Sequence, residues 1–381
     1  MTALGQILHL PRPTLAAKPP SQSFGIVPIP CMMIRGGTSR GVFLKASDLP
    51  HDTALRDRML IAIIGSPHPL QIDGVGGGNP LTCKIAIVGP SPDPRADIDY
   101  LFAQVGVNEA VVDTKANCGN ILAGVAPFAL ETGLVVARSP STTIRIRNVN
   151  TGMVTRATVN TPGGRLRYDG DQRVSGLAVP ASPVHLSFED AAGSLTDKLL
   201  PTGRAAEEIA GVAVSLVDYS IPVMIAGAES FGLSGHETPA ELDANRDLFH
   251  AVERMRLVAG ERMGLGDVSH SVTPKVALVA PPRNRGTIAS RYLTPWQCHA
   301  SHAVTGALCL AAATRIRGSV AAGVAALGDG VSVGVEHPAG TLTIQCEGEG
   351  ENIATSVIRT ARLLFAGFVY LPVEVMVKGQ G

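Results

Sequence analysis

The chain has 381 residues, which is too long for one ordinary hydrophobic core and favours two domains. Basic and acidic residues both number 32, so the formal charge is zero and neither nucleic acid nor a charged membrane surface is an expected partner. The 42 glycines, 27 prolines and few aromatic residues are typical of short strands joined by tight turns, and no apolar stretch reaches the ~20 residues that span a bilayer.

The N-terminal residues 1–24 are rich in proline and contain no acidic residue, which predicts a disordered extension. Their apolar part, residues 7–10, is too short for a signal peptide. The six cysteines have no CxxC pair and no regular spacing, so we expect neither a metal site nor a disulfide framework. A reducing compartment, the cytoplasm, suits this pattern better.

A loop with the composition of an anion site follows the first predicted strand. The strand covers residues 26–34, and the apolar pattern resumes at 42–44. Between them, residues 35–41 hold two adjacent glycines, two hydroxyl side chains and flanking arginines, which suits an anion-binding loop. A plain hairpin turn is the alternative interpretation.

A lysine follows a glycine-rich bend further along the chain. After a predicted helix over 52–64, residues 73–79 form the bend, and Lys84 then opens an apolar strand. The bend is not a phosphate loop, because Asn79 interrupts the GxGxxG pattern and no GK[ST] follows. Lys84 either extends its amine to solvent or lies in a functional cleft, where desolvation would favour the neutral amine that acts as a base.

A cysteine directly precedes an apolar helix. The segment 117–120 (Asn-Cys-Gly-Asn) leads into an uncharged run, residues 121–130. The first turn of a helix has unpaired N–H groups and the positive end of the macrodipole, which hold carboxylates and favour thiolate. Cys118 is therefore a candidate reactive group beside an anion cradle. The alternative is a buried cysteine that opens a core helix.

The second half of the chain repeats the plan of the first half. A strand over 275–280 resembles the strand that Lys84 opens, and residues 299–302 open a second uncharged helix over 303–313. A long helix over about 240–261 precedes them. We therefore expect two α/β pseudo-repeats, a domain over 25–183 and a domain over 184–381 whose last strand is free to return to the first. A cleft would lie between the N-termini of the two apolar helices.

Four motifs in this order resemble the PrpF-like family of methylaconitate isomerases and 4-oxalomesaconate tautomerases: residues 34–43, 72–78 with Lys84, 116–120 and 303–307. The resemblance covers the chain from about residue 29 to its end. It implies the diaminopimelate-epimerase-like fold, an α/β fold of two pseudo-repeat domains, each a barrel-like mixed sheet around a central helix. It also implies a cofactor-independent isomerase that moves a C=C bond in an unsaturated di- or tricarboxylate, such as 4-oxalomesaconate, 2-methylaconitate or aconitate.

The resemblance assigns roles to individual residues. It implies that Lys84 transfers the proton and that Cys118 is its partner. The residues expected to bind substrate are Arg35, Gly36, Gly37, Thr38, Ser39, Asp73, Asn79, Asn117, Gly119, Asn120, Lys275, Ser301 and His302. The sequence departs from the oxalomesaconate branch at Asn79 and Cys83, which leaves the substrate open.

Two other functions stay open at the level of sequence. The first is an amino-acid epimerase or racemase on the same fold, which would need a thiol on each central helix. The second helix begins with Ser301 and His302 and has no cysteine in its first turn, so this alternative is disfavoured. The other open function is that of a non-catalytic accessory protein of an aconitase-type dehydratase. The cysteines lack the spacing of an iron–sulfur cluster site, which disfavours this function. The only partner expected is the small-molecule substrate, with a homo-oligomer left open.

Overall fold

The structure, a computed structural model, describes residues 25–114, 118–188, 191–294 and 296–377. The extension predicted for residues 1–24 and the candidate Asn117 lie outside these ranges. The strands are β1 (Ile26–Gly36), β2 (Ser39–Lys45), β3 (Lys84–Pro90), β4 (Ile98–Val105), β5 (Val112–Asp113), β6 (Ser141–Asn148), β7 (Val154–Asn160), β8 (Pro183–Phe188), β9 (Glu207–Ile209), β10 (Val212–Tyr219), β11 (Ile221–Gly227), β12 (Lys275–Ala280), β13 (Ile288–Leu293), β14 (Ser332–His337), β15 (Gly340–Glu347) and β16 (Ala354–Pro372).

The helices are α1 (Thr53–Ile64), α2 (Gly119–Leu122), α3 (Val125–Glu131), α4 (Pro239–Ala244), α5 (Arg246–Arg262), α6 (Val304–Thr314), α7 (Val320–Val324) and α8 (Val373–Met376). In the part of the chain that the structure describes, none of them is long and apolar enough to cross a bilayer.

Eight strands close into a barrel in the N-terminal half. Their order is β1-β2-β3-β4-β6-β7-β8-β16, and β16 pairs back to β1. The long strand β16 makes this closure possible, because its residues 355–360 pair with β8 and its residues 361–372 pair with β1. The last strand of the chain therefore completes the barrel that the first strand begins.

The C-terminal half continues the same sheet in the order β16-β15-β14-β13-β12-β11-β10-β9. Its pairing repeats that of the barrel: β11 runs parallel to β12 and β13 parallel to β14, as β2 runs parallel to β3 and β4 parallel to β6. Under this correspondence Lys84 and Lys275 occupy the same place, the first residue of β3 and of β12. The pseudo-repeat expected from the sequence is present in the strand pairing.

A buried apolar helix fills each half. Every residue of α6 is buried, and α2 with the first five residues of α3 is buried in the same way. A helix that is apolar on all sides belongs in a core, so the sheets wrap around these helices. The N-termini of α2 and α6 meet, since a Cβ added to Gly119 would lie 2.7 Å from Cβ of Val304. One continuous core thus joins the two halves.

Residue 183, where the sequence places the division between the two halves, is the first residue of β8, which pairs with β7 and β16. Two predicted helices are each broken in the structure. The predicted helix over 240–261 is broken at Asn245, whose side chain accepts a hydrogen bond from the Leu248 N–H and starts α5. The apolar helix after Cys118 is broken at Gly124, where a Cβ would lie 2.5 Å from the Phe43 ring.

Candidate active site

A cavity of about 200 Å³ lies where the N-termini of α2 and α6 meet. Both halves of the molecule line it. Six of the residues predicted to act on substrate are among its lining residues: Ser39, Lys84, Cys118, Gly119, Asn120 and Lys275. Since these residues come from four separate segments of the sequence, the fold assembles them into one candidate active site.

Lys84 is buried at the start of β3, with 9% of its surface exposed. Its Nζ donates a hydrogen bond to Oε1 of Gln104 at 2.7 Å and lies 5.1 Å from the centroid of the Phe102 ring. Gln104 is fixed in turn by a 2.9 Å bond from its Nε2 to the carbonyl of Cys83. In the described residues no carboxylate forms an ion pair with Lys84, so the amine is held by a neutral acceptor and an aromatic face.

The glycine-rich bend before Lys84 is built around a buried glutamine. Oε1 of Gln71 accepts hydrogen bonds from the Gly78 N–H at 2.8 Å and the Cys83 Sγ at 3.0 Å. A Cβ on Gly76 would lie 2.1 Å from that oxygen, so glycine is required there by the packing. These contacts fix the bend against Gln71 and so set the position of β3.

Two predicted binding residues of this bend lie away from the cavity. Asp73 and Asn79 are exposed and are not among its lining residues. The side-chain oxygen of Asn79 accepts a hydrogen bond from the Leu81 N–H at 2.8 Å, which closes the turn before β3. Asn79 thus has a local structural role, and the structure does not bring it or Asp73 to the site.

The predicted loop over 35–41 is a tight hairpin between β1 and β2. Gly36 and Gly37 let this hairpin approach the start of α2, because their Cβ atoms would lie 2.2 Å from the carbonyl oxygen and from Oδ1 of Asn120. Arg35 points elsewhere: its Nη1 donates to the carbonyls of Gly37 and Thr360 at 2.9 and 3.0 Å. The loop has the backbone of a hairpin, and Arg35, Gly36 and Gly37 are not among the residues that line the cavity.

Cys118 occupies the N-cap position of α2, in extended backbone conformation. Its carbonyl accepts a hydrogen bond from the Tyr100 hydroxyl at 3.3 Å, and the next turn is fixed by a 3.2 Å bond from Nδ2 of Asn120 to Oγ1 of Thr38. Among the described residues it is the one cysteine that lines the cavity. Cys118 therefore directly precedes the first turn of α2, whose backbone N–H groups have no helical partner, although its side chain makes no capping hydrogen bond.

The other thiols near the second helix are unsuited to proton transfer. Cys309 is fully buried inside α6, its Sγ lies 3.5 Å from the carbonyl of Val217, and burial raises the pKa of its thiol. Cys298 is also buried, and desolvation followed by the charge of Asp243 raises the pKa of its thiol to about 11. A two-thiol epimerase arrangement is therefore not built on this chain.

Two lysines, Lys84 and Lys275, line the cavity. Burial lowers the pKa of Lys275 to about 8; the Asp113 carboxylate opposes this shift and Arg256 adds to it. At neutral pH Lys275 therefore remains mostly cationic but gives up its proton more readily than an exposed lysine. An anionic ligand is the natural occupant of such a site.

His299 lies within reach of both lysines and was not predicted as a site residue. Burial, and then the charges of Lys84 and Lys275, lower its pKa to about 4, so the ring is neutral at pH 7. Its Nδ1 accepts a hydrogen bond from the Ser301 N–H at 3.0 Å, which assigns the ring proton to Nε2. His299 can thus serve as a neutral N–H donor in the cavity.

Three other predicted residues lie in a neighbouring cavity: Thr38, Ser301 and His302. The ring of His302 is fully enclosed, with Nδ1 donating to the Ala303 carbonyl at 2.9 Å and Nε2 accepting from Oγ of Ser290 at 3.1 Å. Both nitrogens are used by the fold. Residues 301–303 therefore form part of the wall between two cavities.

Metal binding has no assembled site in the structure. The described residues contain no group of three or more His, Cys, Asp or Glu side chains placed to hold a metal ion, and all six cysteines are free. The arrangement at the first cavity is instead that of an acid–base site: two lysines, one thiol, one neutral imidazole and backbone donors.

A family model described as PrpF protein matches residues 26–372. The chain belongs to the PrpF protein family. It is 47% identical to the 4-oxalomesaconate tautomerase of Pseudomonas putida over 344 residues, 90% of this chain and 95% of that protein. A solved structure of methylitaconate-delta-isomerase is 35% identical, covers 94% of this chain and 99% of its own, and superposes with a TM-score of 0.82.

The wider fold is shared with an epimerase. A hydroxyproline epimerase from Agrobacterium vitis, 14% identical, aligns over 92% of this chain and 94% of its own with a TM-score of 0.53. The predicted fold class is therefore confirmed. As a PrpF protein, the chain is an isomerase that shifts a C=C bond and acts on a small-molecule carboxylate, as its sequence motifs indicated.

Proposed function

We propose that the cavity containing Lys84 and Lys275 catalyses a 1,3-allylic proton shift in an unsaturated tricarboxylate of the oxalomesaconate type. The observation that carries this proposal is the meeting of Lys84, Cys118 and Lys275 in one cavity at the N-termini of both central helices. The substrate class follows the 47% identity to the tautomerase, which exceeds the 32% and 37% identity to a 2-methyl-aconitate isomerase and a 3-methylitaconate isomerase.

In the proposed reaction Lys84, as the neutral amine, removes a proton from the carbon next to the double bond. The electron pair of that C–H bond moves into the conjugated system and gives a dienolate, whose charge extends onto a carboxylate. A proton returned at the other end of the three-carbon unit completes the shift, so the C=C bond moves by one position. Cys118 is placed to return that proton or to polarise the site.

The dienolate charge would be stabilised by donors that are already in position. These are the unpaired N–H groups at the first turns of α2 and α6, the ammonium of Lys275 and Nε2–H of His299. Preorganised donors in a site closed to water stabilise developing charge far more than they do in solution, and loss of one such donor typically lowers kcat by about 10²- to 10³-fold. No cofactor takes part in this scheme.

The substrate assignment can be tested by proton NMR with a panel of acids: 4-oxalomesaconate, 2-methylaconitate, and cis- and trans-aconitate. We expect rapid rearrangement of 4-oxalomesaconate and slower or no rearrangement of the others. A preference for 2-methylaconitate would keep the reaction type and change the substrate. Exchange of the α-proton of proline or diaminopimelate, with no reaction of the panel, would favour the epimerase and contradict the proposal.

A further inference from the structure

Arg359 on β16 is a buried arginine without an acidic partner among the described residues. Only 7% of its surface is exposed, and burial lowers the pKa of its guanidinium to about 10. Among the described residues its one hydrogen bond runs from Nη1 to the carbonyl of Ile358 at 3.3 Å, and its Nε has no partner. A buried cation normally has an anion or several acceptors around it, so most donors of this guanidinium remain available.

Arg359 lines a cavity of about 440 Å³ that is separate from the Lys84 cavity. The lining residues include Arg173 and no aspartate or glutamate. His337 also lines it, and burial, followed by the charge of Arg359, lowers the pKa of this histidine to about 4. His302 beside it is neutral as well, because burial lowers its pKa to about 3. At neutral pH the charged groups of this cavity are therefore two arginines.

The two cavities share a thin wall. Thr38 lines the larger cavity and the next residue, Ser39, lines the Lys84 cavity. Gly37 makes room for Arg359 at this wall, since its Cβ would lie 3.3 Å from Cδ of the arginine. The segment 299–303 contributes to both cavities in the same way, with His302 on one side and His299 on the other.

We propose that this larger cavity is a second anion site, in which Arg359 binds a carboxylate of a small polycarboxylate. That the ligand is an anion is inferred from the unpartnered guanidinium. That this anion is a carboxylate rests on the proposed function. The carboxylate belongs either to the far end of a molecule whose reacting carbons lie in the Lys84 cavity or to a second molecule. An arginine suits this task because its planar fork matches a carboxylate.

Each cavity has its own histidine, and because His299 acts electrostatically on His337, the two signals are compared between the wild type and an Arg359 variant. We propose to titrate protein labelled with ¹⁵N in its histidines with tricarballylate, a saturated tricarboxylate that cannot isomerise, and to follow His337 for the Arg359 cavity and His299 for the Lys84 cavity. Substitutions His337→Gln and His299→Gln assign the two signals. In the wild type we expect both signals to shift to saturation.

Arg359→Gln should raise the tricarballylate concentration at the His337 midpoint by about 10- to 100-fold, the range for loss of a charged hydrogen bond. The matched control is Arg165→Gln at an exposed position outside both cavities, which should leave the midpoint unchanged. Equal midpoints for His299 and His337 are expected if one molecule spans both cavities, and different midpoints if two molecules bind. In either case a raised His337 midpoint in Arg359→Gln supports the second site, and an unchanged midpoint would overturn it.

A second variant keeps the test valid if Arg359→Gln does not fold. Thr343→Glu places a carboxylate at an exposed position of the same cavity wall and should weaken the His337 response. Ser332→Glu on the neighbouring strand β14, exposed and outside the cavity, is its control. A His337 signal that stays fixed while His299 saturates would overturn the second site and leave the proposed function intact. A fixed His299 signal would count against the proposed function alone.

Discussion

Lys84 and Lys275 occupy equivalent strand positions in the two halves, yet their surroundings differ. Lys84 is held by Gln104 and the Phe102 ring, whereas the Asp113 carboxylate acts on Lys275. Under the proposed function, Lys84 transfers the proton and Lys275 stabilises the charge that develops on the substrate.

Removing the Lys84 amine should cost more activity than removing the Cys118 thiol. Lys84→Ala is expected to lower kcat by about 10²- to 10⁴-fold, the usual contribution of a general base, and Cys118→Ser by a smaller factor, because serine still hydrogen-bonds. Steady-state rates on the preferred acid measure both. Lys45→Ala is the control, since its Nζ bonds the Thr132 carbonyl outside the cavity. Equal activity of Lys84→Ala and Cys118→Ser would refute these roles.

The charge of Lys275 should appear in the pH dependence of kcat/KM. With a pKa of about 8 its ammonium is present below that pH and is lost above it, so carboxylate binding should weaken as the pH rises. We expect kcat/KM to fall above about pH 8 in the wild type. Lys275→Arg keeps the charge at every pH tested and should remove this fall. A fall that persists in Lys275→Arg would assign it to another group.

At the scale of elements, the β1–β2 hairpin packs closely against the start of α2 because Gly36 has no side chain. A Cβ on Gly36 would meet the Asn120 carbonyl at 2.2 Å, and a backbone atom cannot move aside as a side chain can. Gly36→Ala should therefore lower the free energy of unfolding by about 1–3 kcal/mol. Urea denaturation measures this loss.

The control for that substitution is Gly323→Ala in the short helix α7, where an added Cβ has no atom within 4 Å. Alanine is favoured over glycine in a helix, so this change should stabilise by about 0.5–1 kcal/mol. If Gly36→Ala were as stable as Gly323→Ala, the close approach of the hairpin to Asn120 would not be tight.

Much of the element layout could be predicted from the sequence, and the failures have physical causes. Apolar patterns marked α1, the strand after Lys84 and the strand over 275–280 correctly. The glycines of the hairpin suggested an anion-binding loop, because a sequence does not show whether a glycine makes room for a ligand or for another segment of the protein. In the structure Asn120 lies against Gly36 and Gly37.

The candidate site could be predicted from the sequence only in part. Motifs and resemblance located Lys84, Cys118, Asn120 and Lys275, all of which line the cavity. His299 and Arg359 have no local motif, since their importance comes from contacts made by distant segments. The single usable signal for His299 was its place three residues before His302.

At the scale of the whole molecule, β16 couples the two halves. Its residues 355–357 pair with β8 of the barrel on one side and with β15 on the other. Loss of this strand would open both sheets at once, so we expect the amides of β8 and β15 to exchange hydrogen with the same free energy of opening. Native-state hydrogen exchange measures it. A much lower value for β15 would show that the halves unfold independently.

The cavity lies between the halves, so each half supplies one lysine and one helix start to it. Neither half alone contains a complete site.

The central claim is an allylic proton shift carried out by Lys84. The most direct measurement is proton NMR in deuterated water with 4-oxalomesaconate, for the wild type and Lys84→Ala. We predict rearrangement with deuterium incorporated at the allylic positions in the wild type, and loss of both in the variant. Rearrangement and deuterium uptake that continue at the wild-type rate in Lys84→Ala would contradict the account.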